Sequence, residues 1–150
     1  MADPNELAHE ISEARARLLA FVERCPDEQW GSEPLGVVDP RSVALIVDHV
    51  ADSYEYLGVW MTGMLAGEPA DVNSEVVDEL NAKHANSAIA LDRTDVIEHL
   101  NRSGDEMIAL VRELSPEQLA SSDGRVERFA QIACRHADAH RSELEESMAL

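Results

Sequence analysis

The residues of this sequence best suited to chemistry are two histidines, His136 and His140, four positions apart near the C-terminal end. On an α-helix, residues i and i+4 project from one face on adjacent turns, so both imidazoles can reach a single ion. Both also fall in an apolar stripe, Val126, Phe129, Ala130, Ala133, Ala137 and Leu144, where a bundle helix ordinarily carries Leu or Ile. A buried imidazole needs a hydrogen-bonding partner, and a divalent metal serves two of them together. Neutral imidazole nitrogen is a natural ligand for Zn, Ni, Fe or Cu. A third ligand must then come from another helix. His49 lies on the flank of an earlier apolar stripe, on the side that carries Ser53, Tyr56 and Trp60. Antiparallel packing could bring this flank against the histidine pair. The alternative is two core histidines bonded to carbonyls or acids, with His49 an unrelated surface residue.

The remaining candidates point elsewhere. His9 and His99 stand off their helices' stripes and read as solvated residues. His84 lies on its stripe and reads as a packing residue, with a fourth ligand or a gate as the rarer alternative. Glu6 and His9 have the ExxH spacing of di-iron bundles, but no second copy follows, so ferritin-like chemistry is not expected. Cys25 and Cys134 form neither a disulfide framework nor a CxxC knuckle, and read as reduced thiols. Cys134 stands two residues from His136, about 200° around the helix, and cannot share its metal.

Helices with clear start signals must position these groups. Asp3-Pro4-Asn5-Glu6 opens one that carries Leu7, Ile11, Ala14, Leu18, Phe21 and Cys25, and Pro26 ends it. Asp39-Pro40-Arg41 opens a second that runs to Leu65 on Val43, Ile46, Val47, Val50, Tyr54, Leu57 and Met61. Ser74 can cap a third segment bearing Val77, Leu80 and His84. After a break at Asp92-Arg93-Thr94, another helix runs through Leu114 on Val96, Leu100, Gly104, Met107 and Val111. Ser115-Pro116-Glu117-Gln118 reads as a capping box on one short turn, and the last helix spans roughly Arg125 to Ser147. No segment alternates with period two. The expectation is an all-α four-helix bundle in a single domain over residues 1–150.

Composition narrows the partners. The chain has 30 acidic and 12 basic residues, a net charge of −18, which repels phosphate backbones and anionic lipid. Neither nucleic acid nor membrane is therefore expected as a partner. The N-terminal residues show no signal-peptide pattern, and the apolar run Val43–Leu65 contains Asp48, His49, Asp52 and Glu55, unlike a membrane span. A cytoplasmic location follows as the expectation. Tyr56 and Trp60 lie outside the main stripe of the second helix, which suggests either a homodimer contact or the wall of a pocket.

Three segments carry a family likeness: SVALIVDHVADSYEYLGVW, DVIEHLNRSGDEMIALVRELSPEQL and the final HADAHRSEL. Through them, essentially the whole chain resembles the DinB-like superfamily of bacterial four-helix bundles. That superfamily includes thiol-dependent transferases and the N-terminal domain of mycothiol-dependent maleylpyruvate isomerase. Members place one histidine in the second helix and an HxxxH in the last, which carries over as His49, His136 and His140. The resemblance implies a divalent metal on these three residues, Zn or Ni first and Fe or Mn next. It further implies a low-molecular-weight thiol and an electrophilic small molecule as reactants, and a homodimer. Arg in place of Lys, with Lys83 the single lysine, fits a GC-rich actinobacterial genome, in which mycothiol is the expected thiol. The function implied is a thiol-dependent S-transferase or isomerase. The alternatives are a hydrolase using the same metal, and a non-enzymatic metal-binding or interaction bundle.

Overall fold

Each apolar seam of the sequence becomes a helix, and the caps decide where each helix begins. The computed structural model describes residues 2–32, 41–69, 72–87 and 91–148. Helix α1 (Pro4–Arg24) starts where the Asp3 carboxylate accepts the Asn5 N–H at 2.8 Å, with Pro4 in the first turn. Its seam from Leu7 to Phe21 is buried. The single turn α2 (Asp27–Trp30) places Trp30, whose indole N–H donates to the Leu91 carbonyl at 2.9 Å. Helix α3 (Val43–Leu65) begins later than Asp39-Pro40-Arg41 suggested. The Ser42 hydroxyl caps it, accepting from the Leu45 N–H at 3.1 Å, while Asp39 and Pro40 lie outside the described residues.

Helix α4 (Ser74–Ser87) is capped one residue earlier than expected, by the Asn73 side chain accepting from the Val76 N–H at 2.9 Å. Helix α5 spans Arg93–Arg112 and α6 spans Pro116–Met148. The capping box at the start of α6 is reciprocal: the Gln118 N–H donates to the Ser115 hydroxyl at 3.1 Å, and the Ser115 N–H donates to the Gln118 side-chain oxygen at 2.9 Å. Helical geometry then lapses at Ser121–Gly124, where Ser122, Asp123 and Gly124 all have positive φ. This break separates the short lead from the long arm that carries His136 and His140. The described residues contain no strand.

Four helices form the core, and their cross-contacts fix the chain direction. Helices α1 and α3 each pack against both α5 and α6, so α1 and α3 occupy opposite corners of a square. Arg17 reaches Asp138 and Arg24 reaches Glu145, so α1 and α6 run parallel. Arg15 bonds Asp105 while Arg93 bonds the Cys25 carbonyl, so α1 and α5 run antiparallel. Asp48 meets His99 and Gly58 faces Met107, so α3 and α5 are parallel. The order is therefore up, down, down, up. Two successive parallel helices need a return leg, and α4 supplies it, running back along α3. Among the described residues no helix is long and apolar enough to cross a membrane.

Candidate metal centre

Antiparallel packing of α3 on α6 brings His49 against His136 and His140. The Nε2 atoms of His49 and His136 are 3.2 Å apart, and those of His140 and His136 are 3.0 Å apart. One ring nitrogen from each residue lies within 4.8 Å of the others. Nitrogens sharing a tetrahedral ion at the usual bond length stand about 3.3 Å apart, so the observed spacings fit one metal. His49 is 3% exposed, while His136 and His140 are half-buried.

Hydrogen bonding fixes which nitrogen of His136 faces the cluster. The Ser53 hydroxyl donates to the Val50 carbonyl at 2.6 Å, so its oxygen accepts from His136 Nδ1–H at 3.0 Å. His136 Nε2 must then carry a lone pair, presented to both neighbouring imidazoles. One lone pair can accept well from only one N–H. The two close contacts cannot both be good hydrogen bonds, and one cation shared by the three nitrogens would satisfy them together. His49 Nδ1 is buried with no hydrogen-bond partner among the described residues, so no side chain obliges its Nε2 to carry a hydrogen.

The rings are also kept neutral. Burial, followed by the charges of His136 and Arg41, pushes His49 down to about 2. Burial, followed by His140 and Arg41, pushes His136 down to about 3. Neutral imidazole is the form that binds metal. Cys134 takes no part, because burial and then Glu10 push its thiol up to about 12.

A second constellation adjoins the first, and sequence reasoning missed it. Asp48 is buried in α3, and its two carboxylate oxygens face His84 Nε2 at 2.6 Å and His99 Nδ1 at 2.7 Å. His99 Nε2 continues to Glu55 at 2.7 Å. His99 is therefore not the solvated residue expected, and His84 does more than pack. Burial alone would raise the Asp48 carboxyl, but the bonds from His84 and His99 outweigh it and hold the group well below the usual carboxylate range. The bond to Asp48 raises His99 against the opposing effect of burial. The available signal was an acid inside the apolar run of α3, one residue before His49. His9 is exposed, as its position off the stripe suggested.

Asp52, one turn beyond His49 in α3, makes no hydrogen bond to a site histidine among the described residues. Ser53, one position further around the helix, orients His136 instead. Tyr56 packs on Trp60 at a tilt of 50° with centroids 4.9 Å apart, and Trp60 meets Phe129 at 5.9 Å. Tyr56 follows His49 by seven residues and Phe129 precedes His136 by seven, so this row lies about 10 Å along the same seam. A cavity of about 310 Å³ opens beside it, lined by Asp52, Tyr56, Val59, Trp60 and Leu80. A larger groove of about 530 Å³ lies between α3 and α5, lined by Gly58, Met107 and Leu110, and includes none of the three histidines.

Comparison with known proteins gives a consistent picture. The model of the DinB superfamily matches residues 10–144 of the chain. The solved structure named Sibling Lethal Factor Precursor - DfsB is similar at a TM-score of 0.82 with 16% identity, over 99% of this chain and 96% of that one. At that identity the likeness is one of fold. No curated protein matches the sequence.

Proposed function

The chain belongs to the DinB superfamily, and on that premise we propose that it is a metal-dependent enzyme, a thiol-dependent S-transferase or isomerase. The observation that carries this reading is the convergence of three neutral imidazoles with His136 held by Ser53 in the ligating tautomer. His49, His136 and His140 would hold the ion, with Zn or Ni favoured and Fe or Mn as further options. A divalent ion on three neutral ligands keeps its full charge and ionises a thiol that meets it. The chain's own part is to hold three nitrogens in register and keep them unprotonated. The Tyr56–Trp60–Phe129 row offers the carbon skeleton of a reactant an apolar surface. A small thiol of the mycothiol type and an electrophile are the reactants this reading implies.

The test is anaerobic purification with metal analysis, followed by a screen of thiols against electrophiles. About one Zn or Ni per chain and thiol-dependent turnover lost on chelation would support the proposal. Ester or amide hydrolysis without thiol would assign the site to a hydrolase instead. Loaded protein inert in both screens would leave a metal-binding bundle.

The Ser53 bond makes a separate prediction. Ser53→Ala should weaken metal binding 10- to 100-fold, roughly the usual cost of losing the group that orients a ligating histidine. Competition with a coloured chelator measures this, and unchanged affinity would deny Ser53 the role.

A homodimer is also proposed. Among the described residues, Val59 on α3 and Ile132 on α6 are large apolar side chains left in water, 69% and 42% exposed. Sedimentation equilibrium at micromolar concentration and high salt should give twice 16.5 kDa, because two −18 subunits repel at low ionic strength. A species of 16.5 kDa alone would reject the dimer.

A further inference from the structure

Helix α4 is joined to the bundle in an unusual way. It is the return leg between α3 and α5, and its packing is mainly against α3. An isolated helix of this length is marginal in water, so docking must hold it. Yet His84 is its single buried side chain among those described, and Val77 and Leu80 are only half-buried. The firm attachment is the contact of His84 Nε2 with Asp48 at 2.6 Å, between side chains 8% and 9% exposed.

The position of that contact gives it a use. Asp48 precedes His49 in α3, and the His84 ring lies 6.4 Å from the His49 ring. His84 thus holds α4 beside the most deeply buried of the three converging histidines. The other oxygen of Asp48 stays bonded to His99 of α5, which is bonded in turn to Glu55. If His84 let go, the buried carboxylate would keep a partner, so release avoids the heavy cost of stranding a charge. A helix with few buried apolar contacts opens locally at low free energy.

We infer that α4 is a lid on the three-histidine cluster, latched to the bundle by His84 on Asp48, and that unlatching sets how fast an ion enters and leaves. His84 is a positioning residue in this scheme rather than a ligand. The inference rests on the metal reading of the cluster for its second half, so the experiment has two arms.

The first arm is hydrogen exchange on metal-free protein. In His84→Ala, amides of Ser74–Ser87 should exchange at least tenfold faster, while those of α1, α3 and α6 keep their rates. In His84→Gln, whose amide can still donate to Asp48, much of the protection should return. The second arm is stopped-flow transfer of Zn²⁺ to and from a chelator. His84→Ala should speed uptake and release together, at least tenfold, with equilibrium affinity within about threefold of the unaltered protein.

Unchanged exchange in α4 would overturn the latch. So would uniform acceleration in every helix, which would make His84 a general stabiliser. Affinity lost through faster release alone would make it a fourth ligand and equally overturn the inference. Failure of the unaltered protein to take up zinc would overturn the metal reading and the gating role, while the exchange arm would still decide the latch.

Discussion

Replacing His140 with alanine is expected to abolish metal uptake at micromolar metal while leaving the bundle folded. His140 supplies one of only three nitrogens in the cluster, and its Nε2 lies 3.0 Å from that of His136. Two remaining imidazoles, on different helices, would have to hold the ion without the i,i+4 pair that α6 presents. Folding should not follow the metal away. The seams of α1, α3, α5 and α6 are buried independently of the histidines, and alanine is the best helix former. The metal-free variant should therefore lie within about 1 kcal/mol of the metal-free parent. Elemental analysis gives the first quantity, and circular dichroism with urea unfolding the second. Loss of helicity would assign the metal a structural role, and retained stoichiometric metal would remove His140 from the site.

The second large effect is on acid stability. Metal-free protein should become steeply less stable as pH falls below about 6.5, where unfolded histidine takes up its proton. Native His49 is held down to about 2 and native His136 to about 3, by burial first and neighbouring charge second. Both folded values lie below the unfolded one. Their contribution is therefore complete above 6.5 and is lost as pH falls toward the folded values. In that window the unfolded chain binds up to two protons that the native state refuses. Each is worth about 1.4 kcal/mol per pH unit, so the slope should approach about 2.7.

His99 has the opposite sign, because its native value is raised. Its contribution is present below the unfolded value and fades as pH rises through the folded one, so it does not drive the acid loss. Asp48, held low, adds a further loss only once pH falls through the ordinary carboxylate range. Urea midpoints at several pH values, with chelator present, measure the slope. His49→Leu should roughly halve it. A midpoint flat from neutral pH to 4.5 would contradict the buried neutral state of both rings.

Much of the bundle was legible in the sequence because helical periodicity is a local property. Leu7, Ile11, Ala14, Leu18 and Phe21 share a face whatever lies opposite, and all are buried. The Ser115–Gln118 capping box and the fresh helical start near Arg125 were equally local. His136 and His140 were readable as a pair because their spacing alone places them on one face. His49 needed the antiparallel α3–α6 contact, which the family resemblance suggested and periodicity only permitted.

Tertiary structure decided the rest. Helix α3 starts at Val43 with Ser42 as its cap, past the Asp39-Pro40-Arg41 start expected from the sequence. Ser53 rather than Asp52 orients His136, a choice set by about 100° of rotation between consecutive helical residues. The Asp48–His84–His99–Glu55 chain was beyond a stripe reading for a geometrical reason. A stripe divides a helix into inside and outside, but a helix at the corner of a square also has two flanks facing neighbours. His99 stands off the core stripe of α5 and still meets α3, because α4 returns the chain so that α3 and α5 run parallel. Chain direction sets which flanks meet, and no spacing within a single helix encodes it.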